Sequence, residues 1–191
     1  MKYSRPTNCL LLLFLALFVL GCSGRPVEQI EKAERAMQQA KTEHAEEFAN
    51  TEWKDGEKAW QDAQVFLDKE KWGDANIALL KAKTRFEKAR DIAKGKRQDA
   101  IKEIQGLQKT LELRCQTLKA NIEKNSAKVA KKRRDELEAS CKEIEDKMAS
   151  VKTKLEREEY HDSKFLAQQT LRQVWETEKD LESALGGKRK S

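Results

Sequence analysis

The stretch ANIALLKAKTRFEKARDIAKGKRQDAIKEIQGLQKTLELRCQTLKANI, residues 75–122, decides how the rest of this chain is read. Ala75, Leu79, Ala82, Phe86, Ala89 and Ala93 recur three or four residues apart, and Ala100, Ile104, Leu107, Leu111, Cys115, Leu118 and Ile122 keep the same register. That spacing places them on one face of a helix. The register is disturbed chiefly near Gly95 and Lys96, so the pattern predicts one long helix over 73–124. Gly95 and Gly106 oppose it, each by about 1 kcal/mol relative to Ala.

Working outward, Asn125-Ser126 breaks the pattern and a fourth helix follows with Leu137, Cys141, Ile144, Met148, Val151 and Leu155. In an antiparallel hairpin, facing residues are symmetric about one point in the chain. Leu118 with Leu137, Leu111 with Ile144, Leu107 with Met148, Ile104 with Val151 and Ala100 with Leu155 are all symmetric about the 127–128 bond. A fifth helix, about 161–185, folds back with Ile144 facing Val174 and Leu137 facing Leu181. Upstream, a first helix at about 27–48 carries Ile30, Ala33, Met37, Ala40 and Phe48. A second at about 51–70 carries Trp53, Trp60, Ala63 and Leu67, and pairs with the long helix symmetrically about residue 71. The expected fold is all-α: an elongated antiparallel helical bundle of two three-helix coiled-coil segments, 27–95 and 96–185, sharing the long helix as spectrin-type repeats do.

Composition agrees. The 191 residues hold 38% apolar and 38% charged side chains, only 2 prolines and 8 glycines, which suits a modest helical core and excludes a large α/β enzyme. A weak internal repeat runs through the chain. Trp60, Leu67, Trp72, Asp74, Ile77 and Phe86 stand 88 residues before Met148, Leu155, Tyr160, Asp162, Phe165 and Val174. Ala59–Ala82 resembles a tetratricopeptide hairpin, with Trp60 in its first helix, the turn Trp72-Gly73-Asp74-Ala75, and then Leu79 and Ala82. It departs from that family at Gln64, where a helix-packing glycine belongs, in a turn one residue short, and in lacking a closing proline. The resemblance implies a peptide-binding role. The hairpin pattern is also similar to that of helical bacterial lipoproteins, which implies location and no activity.

The N-terminus points to that location too. Lys2 and Arg5 precede the apolar run CLLLLFLALFVL, Cys9–Leu20, which is too short for a comfortable permanent membrane span and reads as an export signal. It ends in Val19-Leu20-Gly21-Cys22, which resembles the lipobox of bacterial lipoproteins. The resemblance implies cleavage after residue 21, a diacylglyceryl group on the Cys22 sulfur, usually acylation of the new N-terminus, and a short tether over 22–26. Ser23 stands where an aspartate commonly marks inner-membrane retention, so the outer membrane is the expected site. Without Lys2 and Arg5 the 39 basic residues become 37 against 33 acidic, a net charge of +4, which gives little reason to invoke nucleic acid.

Cys115 and Cys141 lie on facing seams, nearly symmetric about the same hairpin point. In an oxidising compartment they allow a disulfide closing a loop of about 25 residues, worth roughly 3 kcal/mol; the alternative is two buried thiols filling the seam. Two cysteines without a nearby histidine do not make a metal site, and no cofactor motif appears. His44 stands three residues before Glu47, and His161 beside Asp162, but neither pair comes with a nucleophile or a phosphate loop, so no catalytic residue is assigned and no enzyme is expected. Trp53, Trp60, Trp72 and Trp175 fit a core better than a groove.

The hairpin tip has more character. Lys124, Lys128, Lys131, Lys132, Arg133 and Arg134 place six basic residues and no acidic one within 124–134, and the tail 186–191, GGKRKS, adds three more. Such a cluster either solvates a turn or contacts an anionic polymer or headgroups. The expected function is a lipid-anchored helical scaffold or adaptor of the cell envelope with a protein partner. The alternative is a surface or periplasmic lipoprotein contacting anionic envelope polymer or host molecules through Lys128, Lys131, Lys132, Arg133 and Arg134.

Overall fold

The computed structural model describes residues 24–186, so the signal 1–21, Cys22, Ser23 and the tail lysines and arginine at 188–190 lie outside it. Among the described residues there are six helices and no strand: α1 (Val27–Thr42), α2 (Ala45–Phe48), α3 (Asn50–Asp68), α4 (Trp72–Lys124), α5 (Lys131–Glu156) and α6 (Tyr160–Ala184). The fold is an all-α bundle. Pro26, with its fixed φ and missing N–H, precedes α1, where a first helical turn has no use for that donor. Gly95 and Gly106 both lie inside α4, each with open space where a Cβ would stand.

The expected first helix over 27–48 is broken in the structure. Glu43 N–H closes α1 on the carbonyls of Gln39 and Ala40, and His44 turns the chain with φ 58°. Histidine is among the few non-glycine residues enriched in that left-handed region. The turn brings Ala45 and Ala49 inward, both buried, and so places His44 in a turn rather than on a helix face with Glu47.

The chain divides into two compact units, 24–94 and 95–186. In the first, α1, α3 and the start of α4 meet through small side chains: Ala33, Ala36, Ala40, Ala59, Ala63, Ala82, Ala89 and Ala93 are all buried. The bulk is supplied by Phe86, whose ring lies 5.1 Å from that of Trp53 and directly over Gly56. Arg90 Nη1 donates to Gln39 at 2.9 Å across α1 and α4, while Arg85–Asp55 and Lys88–Glu52, both 3.2 Å, join α3 to α4.

The second unit is larger in its side chains. Ile104, Leu111, Leu118 and Ile122 of α4 pack with Leu137, Ile144 and Val151 of α5 and with Ala167, Val174 and Leu181 of α6. Ion pairs cross all three helix boundaries: Lys119–Glu145 (2.5 Å), Arg133–Asp180 (3.0 Å) and Lys164–Glu103 (2.7 Å). The buried polar side chains of α6 are satisfied, Ser163 Oγ donating across to the Val151 carbonyl of α5 and Thr170 Oγ1 to that of Leu166 on its own helix.

The offset of 88 residues proves to be structural. Glu70 (φ 54°) and Glu158 (φ 60°) end α3 and α5 in the same left-handed turn. In both turns the following N–H returns to the carbonyl five residues back, Lys71 to Phe66 at 2.9 Å and Glu159 to Lys154 at 3.0 Å. This is the Schellman closure, with glutamate where glycine is usual. Burial repeats as well: Ala49, Trp53, Gly56 and Ala63 answer to Leu137, Cys141, Ile144 and Val151, and Ala75 through Ala93 to Ser163 through Leu181. The leading helices align differently. Ile30, Ala33 and Ala40 correspond to Ile101, Ile104 and Leu111, an offset of 71, so the second unit carries 17 more residues, all around its hairpin tip.

Candidate functional site

The tip joins α4 to α5 through residues 125–130. Lys128 N–H bonds to the Asn125 carbonyl at 2.8 Å, and Asn125 Nδ2 reaches back to the Asn121 carbonyl at 2.8 Å, which together close the turn. Val129, an apolar residue inside the loop, is buried and pins it to the end of the bundle.

The six basic residues fall into two groups. Arg133 bridges Glu136 at 2.8 Å and Asp180 at 3.0 Å, which holds its pKa above the ordinary arginine value, and Arg134 reaches Glu138 at 3.7 Å and lies 3.5 Å from the Ser126 carbonyl. Both are partly buried and serve the hairpin itself. Lys124, Lys128, Lys131 and Lys132 are exposed, and among the described residues no carboxylate lies within ion-pair reach of any of them. Of the five residues the sequence assigns to anionic contact, Lys128, Lys131 and Lys132 remain free to make it, and Lys124 joins them. The Arg133–Asp180 pair also sets the end of α6 beside this tip.

Beside the tip, between α4 and α5, lies an open groove of ≈ 710 Å³ with Ile122 and Cys141 in its lining. Its rim carries Lys119, Arg134 and Lys142 against Glu123, Glu138 and Glu145, so the charges cancel. Cys115 and Cys141 are both buried free thiols, not the disulfide their spacing allows. Burial pushes the Cys141 thiol up to about 11, and the neighbouring Cys115 adds to this; Cys115 is raised mainly by burial too. Disulfide exchange runs through the thiolate, which this seam disfavours.

Two consequences can be measured. With its pKa moved from 9.0 to about 11, Cys141 in the native protein should react with iodoacetamide at pH 8 about 100-fold more slowly than in the urea-unfolded chain, by loss of thiolate alone. Equal rates would mean the seam is open. The folded state also holds this proton more tightly, so its stability is full below pH 9.0 and falls as the pH rises toward about 11.

The tryptophans are mostly structural. Trp53 is buried and Trp60 packs against both apolar clusters of the first unit, whereas Trp175 is 48% exposed with Lys179 Nζ 3.4 Å above its ring. His161 is exposed in the first turn of α6. Among the described residues no three His, Cys, Asp or Glu side chains are grouped to hold a metal ion, and no helix is long and apolar enough to cross a membrane. In comparisons with protein-family models, curated proteins and solved structures, the chain matches none of them.

Proposed function

We propose that this chain is a lipid-anchored helical scaffold or adaptor of the bacterial cell envelope, held to its membrane by Cys22 and working by binding other molecules rather than transforming them. The observation that carries the reading is Val19-Leu20-Gly21-Cys22 at the end of the apolar run Cys9–Leu20. Two or three acyl chains on one residue give lasting anchorage where one alone is marginal, since each buried methylene adds about 0.8 kcal/mol. The absence of aspartate at Ser23 favours the outer membrane.

The test is Cys22→Ser. The substituted chain should lose its acyl mass and move from the washed membrane fraction to the soluble one. Retention in membranes without acyl mass would mean that another element holds the protein.

A second reading is favoured by the four unpaired lysines of the tip: contact with an anionic envelope polymer or with headgroups. Pull-down from envelope extracts separates the two. A protein partner that survives loss of the tip charges supports the adaptor, and one that is lost with them supports the anionic contact.

A further inference from the structure

Eight large apolar side chains stand exposed among the described residues, and four of them share one end of the first unit: Ile77 (69%), Leu80 (59%), Val27 (54%) and Val65 (48%). They come from the start of α1, the end of α3 and the start of α4, and Ile77 and Leu80 share one groove. Ile30 and Phe66 close on the buried cluster of Ala33, Ala63, Ala78 and Leu79, which gathers the start of α1, the end of α3 and the start of α4. Val27 lies one turn before Ile30, Val65 beside Phe66, and Ile77 and Leu80 on either side of Ala78 and Leu79.

The stripe continues along α4. Ile77, Leu80, Lys81, Thr84, Arg85 and Lys88 line one shallow groove of ≈ 400 Å³, apolar at the end of the unit and cationic behind it. Arg85 and Lys88 are already engaged by Asp55 and Glu52 of α3, which leaves Lys81 as the groove cation whose stem can reach back to a phosphate. The turn itself, Asp68, Lys69, Glu70, Lys71 and Asp74, mixes both signs. Attraction by charge is therefore not what would hold this end to lipid; apolar burial is.

The chain outside the described residues says what covers it. The structure begins at Gly24, and only five peptide steps separate Cys22 from Val27, a reach of at most about 18 Å. The opposite end of the unit, around α2, carries Glu43, Glu46, Glu47 and Glu52, and Phe48 there packs inward.

We propose that the end of the first unit bearing Val27, Val65, Ile77 and Leu80 sits in the headgroup and upper acyl layer of the bilayer to which Cys22 attaches. This rests on the lipid-anchor reading of Cys22. The anchor then sets distance, and the apolar end sets how the first unit stands on the surface.

The test uses the full processed chain in vesicles of phosphatidylethanolamine and phosphatidylglycerol. Ile77→Cys is labelled with an environment-sensitive fluorophore under native conditions, with Lys54→Cys, near the opposite end, as its partner. Lipids brominated high on the acyl chain should remove about half of the emission at position 77 and none at 54. The loss at 77 should persist in high salt, where attraction between exposed charges is screened. The mass of the Cys22 peptide is read separately. Acylated Cys22 with an unquenched probe at 77 overturns this proposal and leaves the anchor standing. Unacylated Cys22 overturns the anchor, and quenching at 77 by added vesicles then supports or overturns the apolar contact by itself. Shielding of the probe that rises with protein concentration and ignores lipid would assign the face to a second copy of the chain and overturn the proposal.

Discussion

Replacing Gly56 by Ile is expected to destabilise the first unit by on the order of 3 kcal/mol, although isoleucine is the better helix former. A Cβ at position 56 would stand 2.7 Å from Cδ1 and Cε1 of Phe86, a side chain with no exposed surface. That ring has little freedom to move aside, because Trp53 lies 5.1 Å from it on the same helix as Gly56. At the corresponding layer of the second unit the chain places Ile144 and Val174, both fully buried. The two units therefore fill one position in opposite ways, nothing against a phenyl ring in one and two branched aliphatics in the other. Phe86→Val alone should cost about 2 kcal/mol through the cavity it leaves. The double variant should cost less than the sum of the singles by about 2 kcal/mol. Urea unfolding followed by tryptophan emission reads this directly, since Trp53, Trp60 and Trp72 all report from the first unit. Strictly additive costs would show that the two layers are not interchangeable solutions.

Replacing Lys124, Lys128, Lys131 and Lys132 together by Gln should weaken binding of the unlipidated Cys22→Ser chain to anionic vesicles by about 1000-fold at low salt. Each lysine close to an anionic leaflet contributes about 1 kcal/mol, and 1.4 kcal/mol is a factor of ten. The loss should shrink as ionic strength rises and vanish on zwitterionic vesicles. Arg133→Gln with Arg134→Gln should do far less to binding, because those side chains already face Glu136, Asp180 and Glu138. Their exposure is near one third, so breaking these pairs should cost the hairpin no more than about 1 kcal/mol. Equal effects of the lysine and arginine variants would mean that the tip acts through its fold. No effect of either would leave the adaptor reading ahead.

The long helix and the register of its hairpin were legible because leucine, isoleucine and cysteine mark one seam at a fixed spacing, and Asn125-Ser126 marks its end. The break at Glu43-His44 was not. Ala40 and Phe48 continue a helical spacing across it, and a histidine in the left-handed region carries none of the signal that glycine or asparagine would. Gly56 was equally silent, since a residue chosen for the space it leaves adds nothing to a hydrophobic pattern. The basic tip could be found by counting charges, but its division into paired arginines and free lysines depends on Asp180, which folding brings in from the far end of α6. Ile77 stands out in the sequence through the repeat alone, and its exposure was not legible from it. Ile77 takes part in the 88-residue repeat opposite Phe165, yet it stands two residues from both Ala75 and Leu79, off the buried seam, and is exposed.

The unequal offsets, 88 residues for the paired hairpins and 71 for the helices that lead into them, make the second unit the frame of the first with 17 residues added around its tip. The frame is shared down to the strained glutamates that end α3 and α5. The 17 residues around the tip have no counterpart, and they include the stretch that carries the free lysines. An insertion of this kind is an adjustable reach. Adding or removing one heptad from each arm would move the lysines about 10 Å along their own bundle while leaving its buried layers in register. Chains built on this frame could thus differ in how far they extend their charge without relearning how to fold.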